Sequence, residues 1–183
     1  MAKLKLNSYE LFSQSSNNKP VYGSGVPTGT IVQQVIKNQQ IGNGVAGNAH
    51  EYTPTNNAGP FTSAFWNLSI TTQLTNSKIQ LFAQSPYVYI QSGTGGEFWF
   101  NRNPGSDNID INRSGSGTGN VVYTADSGGG FRSMQAYDTP NVAAGTVLNY
   151  TVKYYRWYGG NEVYWVFDRG GSFGVFTITE IAA

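Results

Sequence analysis

A chain of 183 residues suits one domain with an arm in addition. Eleven basic residues stand against ten acidic, and charged residues are only 11% of the total, so there is no electrostatic footprint for nucleic acid. Aromatics at 14% with a net charge of +1 argue against disorder, and the lack of cysteine excludes disulfides and thiolate-held metal.

In chain order, residues 1–28 differ from the rest. Leu4, Leu6 and Tyr9 alternate with Lys3, Lys5 and Asn7, and Leu11 and Phe12 follow. A polar stretch, 13–19, then leads into a Pro/Gly-rich link, 20–27. A strand-length apolar stripe with no obvious partner strand reads as an extended N-terminal anchoring arm, able to dock into a neighbour by strand addition. Leu4, Leu6, Tyr9, Leu11 and Phe12 would be its assembly contacts. The alternative is an ordinary first strand of the main sheet. The N-terminus lacks the apolar core of a signal peptide, and no apolar run approaches the ~20 residues of a membrane span. The expectation is therefore synthesis in a cytoplasm and no membrane insertion.

Residues 29–183 read as a single β-domain. Strands are predicted at 30–37, 61–74, 78–91, 97–101, 121–124, 131–137, 146–158, 162–167 and 173–181, divided by Gly, Pro and Asn turn signals. Ile79, Leu81 and Ala83 share one face, and Lys78, Gln80 and Gln84 the other. Leu148, Tyr150, Val152 and Tyr154 likewise oppose Asn149, Thr151 and Lys153. Period-two alternation implies one buried and one wetter face, as in a sandwich. About nine strands suit an all-β, antiparallel, jelly-roll-like β-sandwich, with an up-and-down barrel as the alternative. Pro86 predicts either a corner between two strands or a bulge on an edge strand. The final segment, Phe176 to Ile181, is expected to be clamped inside a sheet. Residues 115–120 and 128–130 read as short turns.

Chemistry is thinly supplied. The one histidine, His50, lies in an Asn/Gly-rich stretch and has no nucleophile elbow to serve. A glycosidase-like carboxylate pair depends on a separation that spacing does not give. Asp138, before Thr139-Pro140, is expected to cap a turn, and Glu180 to face solvent or pair with a cation. Asp107-Asn108-Ile109-Asp110 offers oxygen ligands without the spacing of a calcium loop and reads as a polar turn. No catalytic, cofactor or metal site is expected.

Aromatics are the remaining resource. Most of the four Trp, twelve Tyr and ten Phe must be core. Yet Tyr154-Tyr155-Arg156-Trp157-Tyr158 puts aromatics on both faces beside a turn. With Tyr154 pointing in, Tyr155 or Trp157 points out. Tyr155, Trp157, Tyr158 and Asn161 are thus candidates for a subunit interface or for sugar stacking. The 42–59 stretch is the longest candidate for glycan contact.

Scattered segments carry a family resemblance. They are Gly29-Thr30-Ile31-Val32-Gln33, Asn76-Ser77-Lys78-Ile79, Asp138-Thr139-Pro140 after a strand, the Tyr-rich 148–158, and the closing Ile178-Thr179-Glu180-Ile181-Ala182. Together they resemble a β-sandwich domain of phage structural proteins, especially tail fibres and appendages of phages that infect marine cyanobacteria and other marine bacteria. The resemblance spans residues 25–183, and the Asn/Gly-rich 42–60 matches nothing in it. It implies a non-enzymatic virion component, such as a tail fibre, knob or head appendage. Such a protein would assemble as a homotrimer, contact other virion proteins, and touch a host surface glycan or decorate the particle. The alternatives are a carbohydrate-binding module and a small polysaccharide depolymerase.

Overall fold

The computed structural model describes residues 3–6, 9–14, 20–22, 26–39, 50–52, 61–90, 94–103, 109–112, 120–124, 128–158, 163–166, 168–169 and 172–183. Side chains are described within 26–37, 62–63, 66–85, 96–103, 109–112, 130–155 and 174–183. All regular structure among these residues is β, and no helix is long and apolar enough to cross a membrane.

The strands in chain order are β1 (Lys3–Leu6), β2 (Tyr9–Gln14), β3 (Pro20–Tyr22), β4 (Ile31–Gln39), β5 (His50–Tyr52), β6 (Phe61–Thr71), β7 (Lys78–Ile90), β8 (Thr94–Arg102), β9 (Ile109–Ile111), β10 (Asn120–Thr124), β11 (Gly128–Asp138), β12 (Val147–Tyr158), β13 (Val163–Val166), β14 (Asp168–Arg169) and β15 (Ser172–Ile181). Every strand read from the sequence is present. The short β5, β9 and β14 come in addition, and β1–β3 lie in the N-terminal segment. The segment 128–130, read as a turn, instead opens β11, with Gly128–Gly130 paired to Val88–Ile90. Glycines carry no alternation, so only the partner strand reveals them as sheet.

Two antiparallel sheets form the sandwich. One has five strands, ordered β10-β8-β12-β6 with β9 also on β8. The other has seven, with β7 flanked by β11 on one side and by β15 then β13 on the other, and with β4 on β15. The N-terminal strands make a separate three-stranded sheet, β1-β2-β3. The apolar stripe of β1 therefore has a partner after all: Leu4 pairs with Phe12 and Lys5 with Glu10. The arm reading is thus modified from a single extended strand to a locally paired meander.

Pro86 sits where the neighbours of β7 change. Residues Lys78–Gln84 pair with β15, and Tyr87–Ile90 pair with β13. On the other flank the register with β11 shifts between Gly130 and Arg132. A residue without an N–H is tolerated where the ladder is already broken. The bulge is as expected, but the strand is central and not an edge.

The core follows from register. Inward rows across the seven-stranded sheet run Ala136–Leu81–Ile178–Val35 and Met134–Ala83–Phe176–Lys37. The facing sheet supplies Val152–Phe100–Ile111 and Tyr154–Phe98. Phe100 and Phe176 stack across the layers, with centroids 5.8 Å apart and planes at 15°. That contact joins the sheets at their centre, where aromatic burial contributes most.

The open side between β4 and β6 is bridged by side chains. Gln33 Nε2 donates to the Thr71 carbonyl at 2.6 Å, and Lys37 Nζ to that of Asn67 at 3.4 Å. Carbonyls on the β6 edge are thereby satisfied without a further strand, which blunts an edge that would otherwise pair with another chain.

Candidate functional site

Two polar clusters close one end of the sandwich. Asp138, Ile79, Glu180 and Gln33 lie in one inward row across β11, β7, β15 and β4. The two carboxylates thus stand two strands apart, about 10 Å between backbones at the usual strand spacing. Neither behaves as the sequence predicts.

Glu180 is fully buried and not solvent-facing. Its carboxylate accepts the Gln73 N–H at 2.9 Å, the Leu74 N–H at 3.0 Å and Gln33 Nε2 at 2.6 Å. It pins the β6–β7 turn to the last strand. Strict alternation from Ile178 turns it inward. What alternation does not reveal is that the inward direction ends on free backbone N–H groups rather than on apolar side chains.

Asp138 likewise caps no turn. It accepts Arg102 Nη1 at 2.7 Å and the Tyr150 hydroxyl at 2.8 Å, both from the opposite sheet. The pair is nearly buried, at 11% and 10% side-chain exposure. Breaking such a pair strands a charge, so it acts as a staple between layers. Burial, then the neighbouring Asp138 charge and its hydrogen bond, push the Tyr150 phenol above the ordinary tyrosine range, with Arg102 opposing. Tyr150 therefore stays a hydrogen-bond donor at any ordinary pH.

Around these clusters two loops pair with each other. Gly145 N–H donates to Thr72 O at 2.7 Å, Thr72 N–H to Thr146 O at 2.9 Å and Asn76 N–H to Val142 O at 2.9 Å. Asn76 and Asn141 adopt positive φ, 58° and 53°, a conformation that short polar side chains tolerate. Gly29, at φ 86°, is the third residue of the turn from Pro27 to Thr30 and is tied to the Ala182 carbonyl at 2.8 Å.

The outer face of the five-stranded sheet is the second candidate. Glu97, Trp99 and Asn101 of β8 oppose Tyr155, Lys153 and Thr151 of β12. All but the half-buried Tyr155 are buried. Asp110 Oδ1 accepts both Trp99 Nε1 and Asn101 Nδ2 at 2.7 Å. Asp110 thus receives N–H donors, and among the described residues no three His, Cys, Asp or Glu group as a metal would need. Part of the cover is local. Ser63–Trp66 bulge out of β6 against the single residue Val152, and Thr151 Oγ1 reaches the Ser63 carbonyl at 3.3 Å. The expected wetter face of β12 is therefore a closed one from Thr151 to Lys153.

Of the sequence candidates, Tyr155 points away from the core side on which Tyr154 lies, and sits opposite Glu97. Trp157 is the extra residue of a bulge, between Arg156 opposite Gly96 and Tyr158 opposite Gly95. Bulges re-aim side chains. The side chains of Trp157 and Tyr158, and Asn161 altogether, lie outside the described residues, as do the side chains of Leu4, Leu6, Tyr9, Leu11, Phe12 and His50 and most of the 42–59 stretch.

The outer face of the seven-stranded sheet was not singled out by the sequence. Its rows are Tyr137–Gln80–Thr179–Gln34, Gln135–Phe82–Thr177–Ile36 and Ser133–Gln84–Val175. None of these residues is charged. Ile36, Phe131 and Tyr137 are 53%, 55% and 59% exposed. Tyr137 OH accepts from Gln80 Nε2 at 3.3 Å and from Gln135 Nε2 at 3.2 Å, and Gln34 Nε2 donates to Thr179 Oγ1 at 2.9 Å. The signal that could have found it was already there: outward stripes of Gln and Thr whose one cation, Lys78, stands at the start of β7.

No protein-family model matches the chain, and no curated protein is similar to it.

Proposed function

We propose that this chain is a non-enzymatic structural component of a phage particle, a tail fibre, knob or head appendage. It assembles as a homo-oligomer, a trimer by the family resemblance, and contributes to host attachment or decoration. The observation that carries this reading is where the resembling segments meet. Gly29–Gln33, Asn76–Ile79, Asp138–Pro140 and Ile178–Ala182 are far apart in the chain, yet they close one end of the sandwich together. Gly29 bonds Ala182, Gln33 bonds Glu180, and Asp138, Ile79 and Glu180 share a row. Motifs that cohere as one hydrogen-bonded unit support a shared domain more strongly than the same motifs scattered at random.

The physical logic is mechanical. Buried charge-assisted bonds and a stacked aromatic centre hold the layers, and their failure requires several strong bonds to break at once. Labelling this chain in particles and imaging them tests the reading. Label on a fibre, knob or head appendage is the expected result. Its absence from every particle, with release of sugar from host polysaccharide by the purified protein, defeats it.

A carbohydrate-binding module is the second reading. The exposed Tyr137 ring beside two glutamine amides, with Phe131 exposed on the same strand, favours it, because rings stack on sugars and amides bond hydroxyls. A single-chain species that binds a defined glycan is the result that selects it.

A further inference from the structure

We propose that the outer face of the seven-stranded sheet, across β4, β15, β7 and β11, is the surface at which one copy of the chain packs against a second copy. This rests on the homo-oligomer reading above and assigns it a place. Three observations select the occupant.

The first is charge. The three outward rows hold no ionic side chain, the exposed Lys78 lying beyond them at the start of β7, whereas Asp138 and Glu180 of the same sheet are turned inside. A neutral face meets an identical chain without like-charge repulsion and gives no grip to a charged partner. The second is composition. Ile36, Phe82, Phe131 and Tyr137 lie among glutamines, which is the aromatic-rich, charge-poor character of an interface centre. Glutamine amides both donate and accept, so they find complements on whichever surface of a second copy they meet. Isolated aliphatics such as Ile36 suit a protein partner better than a sugar.

The third is size. Four strands about 4.8 Å apart, paired over some eight residues of about 3.4 Å, span roughly 500 Å². Two copies then bury about 1,000 Å², the least that a specific interface clears, before the projecting rings are added. The hydrogen bonds from Gln80 and Gln135 fix Tyr137 in advance, which lowers the ordering cost of contact.

The test uses the full chain, light scattering and circular dichroism. Ile36→Lys and Tyr137→Lys each place a charge on an exposed position, so the fold has no reason to change. The expected result is a multi-chain wild type and single-chain variants with unchanged spectra and melting of the isolated subunit. If a variant loses its β spectrum, Phe131→Lys replaces it and is read in the same way. Variants that assemble as fully as wild type overturn the inference and leave the homo-oligomer reading intact. A single-chain wild type at micromolar concentration fells that reading itself, and the inference with it. Retention of that single chain on a neutral polysaccharide column, lost in Tyr137→Ala, assigns the face to glycan instead.

Discussion

The two outer faces of this sandwich obey the same alternation and reach opposite ends. On the five-stranded sheet, Glu97, Trp99, Asn101, Thr151 and Lys153 point away from the core and are nevertheless buried. On the seven-stranded sheet, Gln34, Ile36, Gln135 and Tyr137 point away and are exposed. The closed face holds the charged Glu97 and Lys153, while the centre of the open face is neutral with Lys78 at its margin, the reverse of ordinary surface practice. The lesson is that a period of two assigns a side chain to a face. It does not say whether that face meets water.

The comparison breaks most directly at Trp99. Trp99→Ala removes a fully buried ring and the donor to Asp110, so a loss of about 3–5 kcal/mol is expected in urea unfolding. A loss below about 1 kcal/mol would mean that this face is open in solution. Next in size is Glu180→Ala, which strands the Gln73 and Leu74 N–H groups and should lose about 3 kcal/mol. Hydrogen exchange at those two amides checks the mechanism, because they should lose protection before the core strands do.

Asp138→Asn keeps the shape of the staple but removes its charge, leaving Arg102 in a nearly buried place. About 2–3 kcal/mol should be lost. The same cluster gives a pH signature. Tyr150 holds its proton more tightly folded than unfolded, so its contribution is fully present below the unfolded tyrosine pKa of about 10 and is lost as pH rises beyond it. Stability should fall above about pH 10, and one of the twelve tyrosines should ionise only on unfolding, seen in phenolate absorbance. In Asp138→Asn that late phenol should move toward the others. The smallest effect belongs to the open face. Ile36→Thr should change the stability of the isolated subunit by no more than about 0.5 kcal/mol. Larger losses would show that the face is part of the fold's own packing.

Much of the sandwich was legible because β-branched and aromatic residues repeat at alternate positions in β4, β7, β12 and β15. Inward Ile79, Leu81 and Ala83, and inward Leu148, Tyr150, Val152 and Tyr154, follow from that alone. The bulge at Pro86 was legible because its missing N–H forbids an unbroken ladder. Gly128–Gly130 was not, since residues without side chains give no periodicity. Asp138 and Glu180 were misjudged for a shared reason. A carboxylate next to turn residues looks solvated until partners from other strands, Arg102 and Tyr150 or the Gln73 and Leu74 amides, arrive around it. Alternation leaves open whether Tyr155 or Trp157 points out, and register puts Tyr155 on the side away from Tyr154, while the neutral face escapes notice because its glutamines carry no marked chemistry.

By itself the sequence determined that the chain would be β, antiparallel and layered, because hydrophobic spacing decides which side chains can leave water together. Only the tertiary structure decided which carboxylates are held, which outer face is covered, and where neutral surface is left over. Those outcomes depend on groups distant in the chain meeting at hydrogen-bond distance, and no local pattern encodes that meeting.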